Sequence, residues 1–307
     1  WTAHGSEFIH GTWGFSWLSW TLYEHTGLFG LRLFNGLCAS GALLLLYQAA
    51  RNRKAQPKAI AFAIFFAAGM LIQNLGVRSQ TWAFPLFASL VWIVSKPRPL
   101  HLILPLIGGI GAIWSNLHGS FPAGLVFLGA TGLGKSLDQR SWAPIYRASL
   151  LATVFVLGTV IGPNGLSIYE FVLGNSALPQ ARGLTEWARP EWWSFSGLRI
   201  SLGIAIWALL FAKGPKKLSW EQSLCVLVFG ALAITGGRFI AWFGLAAAVP
   251  LACRLDATML PSPGMKGGMF RNITVVFGLF WSVILLKNLW PKSNEMSEKE
   301  PQEAVAA

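Results

Sequence analysis

The sequence predicts an all-α, polytopic integral membrane protein, and three observations lead to this prediction. Only 12% of the 307 residues are charged, about half the share found in an ordinary soluble domain. Hydrophobic residues make up 54% of the chain, and the mean hydropathy is +0.52. The apolar residues form continuous runs rather than an alternating pattern, which favours membrane-spanning helices over the strands of a β-barrel.

About ten candidate spans follow one another along the chain. They lie near residues 28–50, 59–75, 81–95, 99–115, 121–134, 148–162, 197–212, 221–236, 238–254 and 272–290. Several are shorter than the roughly 20 residues that cross a hydrocarbon core, so we expect flanking Trp and Phe to extend them into the interface. We therefore assign residues 1–290 to one transmembrane domain.

The two ends of the chain carry different signals. Residues 291–307 are polar, acidic and contain Pro, which predicts a disordered tail. The chain begins at Trp1 without a signal-like segment, so we expect that an upstream part, including a first helix, is missing.

The Lys and Arg residues predict the orientation of the spans. Fifteen of the 24 lie in alternate connections, which are 51–58, 96–98, 135–147, 213–217 and 254–271. We expect this set to face the cytoplasm. The net charge of +12 reflects the scarcity of acids, 12 against 24 bases, so we expect membrane lipids and no nucleic acid as partners.

The opposite, outer face then holds most of the unusual polar residues. It comprises residues 1–27, the turns near 76–80, 115–121 and 236–238, and the long segment 163–196. Any chemistry is expected on this face, because the cytoplasmic connections have an ordinary topology-setting composition.

One segment matches a nucleotide-binding pattern by sequence alone. Residues 129–136 satisfy G-x-x-x-x-G-K-[ST], which in a phosphate-binding loop follows a buried strand. Here the segment ends an apolar span, so small residues of a membrane helix followed by a basic anchor explain it better. We expect no nucleotide at this match.

Two outer turns between spans carry candidate binding residues. Asn116 and His118 lie at a predicted membrane–water boundary, where a His could donate to a phosphate or carry a proton. A helix-capping turn explains the same residues equally well.

Arg78 and Arg238 each lie in a very short outer turn. A guanidinium there suits bidentate binding of a phosphate, and snorkelling to lipid headgroups is the alternative.

The outer segment 163–196 holds the best candidate acid. Glu186 is followed by Trp187, and an acid flanked by Trp suits a raised pKa or the stacking of a sugar. An interfacial aromatic belt with incidental charges is the alternative.

Several motifs together resemble bacterial relatives of the GT-C glycosyltransferases, of the family-39-like or dolichyl-phosphate-mannose type. The start of the chain, with Trp17-Leu18-Ser19, resembles the outer segment that follows the family's first helix. The block 78–80 resembles an Arg-Pro-Gln turn, and 114–124 resembles a Trp-x-Asn-x-His-Gly-x-x-x-x-Gly stretch. Residues 163–165 resemble an Asn-Pro-x-Gly turn with altered order. Phe15 and Ser16 stand where the family has His-Glu.

The resemblance implies transfer of a sugar from a polyprenyl-phosphate donor at the outer face of a bacterial inner membrane. It implies Glu186 and His118 as catalytic residues, with Arg78 and Arg238 holding the lipid phosphate and Asn116 and Trp187 lining the site. The family's key Asp, in its first outer loop, would lie upstream of Trp1. The superfamily allows a divalent metal, for which no ligand set is visible here.

Two other classes of function remain open. Many spans with few polar residues also suit a transporter, flippase or polymerase of lipid-linked glycans, although intramembrane charges and internal repeats are not clear here. The missing outer-loop Asp suits a non-catalytic membrane scaffold.

Overall fold

The computed structural model describes residues 11–181, 187–213 and 219–258. Within these ranges the chain forms helices and no strand, so the predicted all-α class is confirmed. The α-helices are α1 Trp13–Asn52, α2 Pro57–Leu71, α3 Ser79–Val94, α4 Leu100–Leu117, α5 Pro122–Gln139, α6 Ala143–Thr159, α7 Ser167–Ala181, α8 Phe195–Lys213, α9 Trp220–Thr235 and α10 Ile240–Thr258.

Five of the described helices are long and apolar enough to cross a membrane. They are α1, α2 extended to Asn74, α4, α8 and α10 extended back to Gly237. Helices α3, α6 and α9 are apolar but have only 16, 17 and 16 residues, which span about 25 Å against a core of about 30 Å. Membrane-spanning helices are therefore supported, and the count of about ten is not. The predicted span near 272–290 and the tail 291–307 lie outside the described residues.

Two segments predicted as outer connections contain helix. Residues 13–26 belong to α1, and α7 lies within the segment 163–196. Hydropathy missed both because these helices carry polar residues such as Glu24 and Glu170 between their aromatic residues.

Helix α1 reverses direction at Gly27. This residue has φ 63° and ψ −167°, a conformation open essentially only to glycine. Phe15 and Phe34 both pack on the ring of Trp82, at 4.6 and 4.8 Å between centroids. A straight helix would separate these two residues by almost 30 Å. Residues 13–26 therefore fold back along the start of the long span.

Aromatic rings fill the centre of the helix bundle. Phe87 of α3 packs against Trp114 of α4, Phe229 of α9 and Trp242 of α10, with centroid distances of 6.2, 5.5 and 5.5 Å. All four side chains are almost completely buried. These contacts join four helices below the end at which the turns containing His118 and Arg238 lie.

Helices α4 and α6 approach closely through glycines. A Cβ on Gly158 would lie 2.1 Å from the carbonyl oxygen of Gly108, and one on Gly111 would lie 2.3 Å from that of Phe155. Small residues at such crossings let membrane helices pack backbone against backbone. The crossing holds the α4 end that carries His118.

Most of the described basic connections meet at one end of the bundle. The carboxylate of Glu221 accepts from Arg53 at 2.5 Å and lies 3.4 Å from Lys135 Nζ. Arg147 donates to the carbonyl of Arg98 at 2.6 Å. This clustering agrees with the alternation of Lys and Arg along the sequence.

Candidate functional site

An open cleft of about 1040 Å³ lies at the other end of the bundle. Helices α2, α4 and α9 end there, and α3, α8 and α10 begin there. Three of the predicted site residues, Arg78, His118 and Arg238, line this cleft together. The turns that carry them are far apart in the sequence, and the bundle brings them together.

The described lining of the cleft is positively charged. Arg78, Arg189 and Arg238 contribute guanidinium groups, and Glu191 is the one carboxylate among the described lining residues. Such a lining favours an anionic ligand, because guanidinium groups bind phosphate oxygens with directed hydrogen bonds. It does not suit a divalent cation, and no group of three metal-ligating side chains occurs in the described part of the chain.

Arg238 and Trp187 form a cation–π pair. The Arg238 guanidinium carbon lies 3.7 Å from the centroid of the Trp187 ring. The backbones also pair, because Gly237 N donates to the carbonyl of Ala188 at 3.2 Å. A Cβ on Gly236 would approach the Trp187 carbonyl to 3.2 Å. The short turn before α10 is thereby fastened to the segment that precedes α8.

Arg78 immediately precedes helix α3, and buried polar groups hold its turn. The hydroxyl of Thr81 donates to the carbonyls of Asn74 and Gly76. The side chain of Gln80 accepts from Asn74 at 3.1 Å and donates to the carbonyl of Arg238 at 3.0 Å. The turn of Arg78 and the turn of Arg238 are thus linked directly by Gln80.

His118 presents a neutral imidazole with a defined tautomer. Its Nδ1 accepts from the backbone N–H of Ser120 at 3.1 Å and lies 2.6 Å from the Ser120 hydroxyl, which itself accepts from Trp114 Nε1 at 3.1 Å. The remaining proton of the neutral ring therefore resides on Nε2. Burial, and secondarily the positive charge of Arg238, lower the pKa of His118 below its ordinary value. At neutral pH the ring is a hydrogen-bond donor through Nε2.

Asn116 does not line the cleft. Its Oδ1 accepts from Trp13 Nε1 at 2.5 Å, and its Nδ2 donates to the carbonyls of Ala112 and Ile161, each at 2.7 Å. The side chain therefore ties α1, α4 and the end of α6 together. This geometry corresponds to the capping alternative for the turn.

The predicted acid Glu186 lies outside the described residues. Glu191, five residues further along, does line the cleft, as do Arg189 and Gln73. Glu191 and Arg189 belong to the outer segment that the sequence marked as rich in polar residues. Gln73 had no such signal, because it lies near the end of the predicted span 59–75 and belongs to no motif.

The nucleotide-like match at 129–136 lies within helix α5. Its backbone N–H groups are therefore engaged in helical hydrogen bonds and do not form a phosphate-binding loop. Lys135 contacts Glu221 and donates to the carbonyl of Val94 at 3.0 Å, at the end of the bundle opposite the cleft.

Comparison of the chain with protein-family models, curated proteins and solved structures finds no match.

Proposed function

We propose that the cleft binds a polyprenyl-phosphate sugar and that the chain is a membrane glycosyltransferase that transfers this sugar to an acceptor. The observation that carries the proposal is the joint presence of Arg78, Arg238 and His118 in one cleft at the end of apolar helices. A lipid-linked phosphate has its charge at the membrane surface and its chain in the bilayer, which matches a cationic cleft at that position.

The proposal also specifies the membrane, the arrangement of the spans and the face on which the cleft lies. We infer a bacterial inner membrane, a GT-C-like arrangement of about ten spans, and a cleft on the outer face. The support for this orientation is the gathering of basic connections at the opposite end, since Lys and Arg favour the cytoplasmic side.

The residues have separate roles in the proposed reaction. A carboxylate, Glu186 or Glu191, takes the proton of the acceptor hydroxyl as its oxygen attacks the anomeric carbon of the sugar. The bond between that carbon and the lipid phosphate oxygen breaks, and polyprenyl phosphate leaves. Arg78 and Arg238 stabilise the charge that develops on the phosphate, and His118 donates a hydrogen bond through Nε2. Trp187 orients Arg238.

The test measures release of polyprenyl phosphate from polyprenyl-phosphate sugars by the purified protein in lipid nanodiscs. We expect turnover by the wild type and a loss of at least about tenfold in Arg78→Ala and Arg238→Ala, the usual scale for one charge-stabilising group. Glu186→Gln and Glu191→Gln identify the base, since one of them should abolish turnover.

Arg51→Ala provides the matched control. Arg51 is also an exposed Arg beside an aromatic ring, 5.9 Å from the centroid of Tyr47, at the opposite end of the bundle. Its removal should leave turnover unchanged. Binding of the donor without turnover would contradict the transferase and support a flippase, transporter or non-catalytic lipid-binding protein.

A further inference from the structure

Gln73 reaches the cleft from the short turn that follows helix α2. This turn spans Ile72–Asn74, and the Gln73 side chain is exposed and lines the cleft beside Arg78 and Ser196. The proposed reaction assigns it no role.

A buried arginine lies directly behind Gln73. Arg199 of α8 is only 8% exposed, and its Nη1 donates to the carbonyls of Gly69 and Met70 at 3.2 and 2.9 Å. Its Nη2 donates to Oε1 of Gln73. Within the described residues no carboxylate pairs with this guanidinium, which is held instead by oxygens at the C-terminal end of α2, the end that favours a cation.

The contact with Arg199 determines how the Gln73 amide is oriented. A guanidinium has only donors, so the amide oxygen must face it and the amide NH₂ must face away. The Ser196 hydroxyl donates to the same Oε1 at 2.5 Å. No described residue accepts a hydrogen bond from Nε2 of Gln73. Both N–H groups therefore remain for a ligand in the cleft.

We propose that Gln73 is a ligand-binding residue of the cleft, and that its NH₂ group donates to a phosphate oxygen of the lipid-linked substrate. Arg199 and Ser196 are positioning residues, because they act only by holding the amide oxygen. This inference rests on the proposed binding of polyprenyl phosphate and adds a neutral, directional donor to the guanidinium groups.

The contrast between Gln73→Ala and Gln73→Glu provides the test. A glutamate can still accept from Arg199 and Ser196, so it preserves or strengthens the local structure. It has no donor in the cleft and adds a negative charge there. We expect Gln73→Ala to weaken binding of polyprenyl phosphate in nanodiscs about tenfold. Gln73→Glu should weaken it further, while its melting temperature is at least that of Gln73→Ala.

Two controls make the result specific. Gln222→Glu introduces the same charge change at the opposite end of the bundle and should bind as the wild type does. Arg199→Gln should reduce affinity when residue 73 is Gln but have no further effect in the Gln73→Ala background. A purely structural role for Arg199 would lower affinity in both backgrounds.

The binding experiment compares three ligands, which are polyprenyl phosphate, the uncharged polyprenol and inorganic phosphate. If inorganic phosphate displaces bound polyprenyl phosphate as effectively as unlabelled polyprenyl phosphate does, the cleft is a site for free phosphate. If the wild type binds polyprenyl phosphate and Gln73→Glu binds it equally well, the role of Gln73 is overturned and the proposed function is not. A wild type that binds polyprenyl phosphate no better than polyprenol would overturn the proposed function as well.

Discussion

The guanidinium of Arg238 lies over the indole of Trp187, with 3.7 Å between the guanidinium carbon and the ring centroid. The two residues come from different connections, one before α8 and one before α10. Stacking fixes the plane of the guanidinium where Arg238 lines the cleft. The pair therefore joins the two turns and places the guanidinium of Arg238 at the cleft.

Replacing Trp187 should weaken binding of the lipid phosphate without removing a charge. Cation–π contacts contribute about 0.5–2 kcal/mol, so Trp187→Ala should reduce affinity for polyprenyl phosphate by about 2- to 30-fold. Trp187→Phe should recover part of this loss because it keeps an aromatic face. Fluorescence or surface-based titration in nanodiscs measures the affinity.

Trp92 supplies the matched control for this prediction. The Arg98 guanidinium lies 3.8 Å from the centroid of the Trp92 ring, at the end of the bundle opposite the cleft. Trp92→Ala removes an equivalent contact and should leave affinity unchanged. Equal losses in both variants would mean that aromatic deletion acts through general destabilisation.

Acidification should destabilise the protein through His118. The folded state lowers the pKa of His118, by burial first and by Arg238 second, from an ordinary value near 6.5. Below that pH the unfolded chain binds the proton more readily than the folded one, so stability falls as pH decreases. The melting temperature of the wild type should therefore drop between pH 7 and pH 5 more steeply than that of His118→Gln. Parallel pH profiles for the two proteins would contradict the assignment of a neutral His118.

Asn116 should matter for stability and not directly for the ligand. Asn116→Ala removes the acceptor for Trp13 and the donor to two carbonyls, at a cost of about 1–3 kcal/mol for groups left unpaired. We expect a lower melting temperature in detergent and an unchanged affinity for polyprenyl phosphate in the folded fraction. A loss of affinity at an unchanged melting temperature would make Asn116 a ligand-binding residue, as the family resemblance implies.

The glycine crossing of α4 and α6 should tolerate no added carbon. Gly158→Ala would place Cβ 2.1 Å from the backbone oxygen of Gly108, and such overpacking costs about 1–3 kcal/mol. Gly109→Ala offers a control in the same region, because nothing lies within 4 Å of its added carbon. Thermal unfolding should separate the two variants, with Gly109→Ala at least as stable as the wild type.

The apolar helices could be located from the sequence because hydropathy reports the environment of each segment, whereas residues 13–26 and α7 were missed because polar residues interrupt them. The structure does not confirm the predicted count of about ten spans, because α3, α6 and α9 have only 16, 17 and 16 residues, fewer than the roughly 20 that cross a hydrocarbon core. The reversal at Gly27 was also not predictable, because it depends on Phe15 and Phe34 sharing contact with Trp82.

The candidate site was partly predictable for a similar reason. The sequence singled out Arg78, His118 and Arg238 because placing a charged or titratable group between apolar spans costs free energy, so such groups are candidates for a functional role. Gln73 carries no charge, and its orientation comes from Arg199, whose position in α8 is far from it in the sequence. Only the packed structure shows that these two side chains meet.

The affinity of the purified protein for polyprenyl phosphate, compared with uncharged polyprenol, tests the central claim most directly. The wild type should prefer the phosphate, and the double variant Arg78→Ala/Arg238→Ala should lose that preference while still binding polyprenol as the wild type does. If the folded double variant still prefers polyprenyl phosphate to polyprenol, this cleft is not the phosphate site.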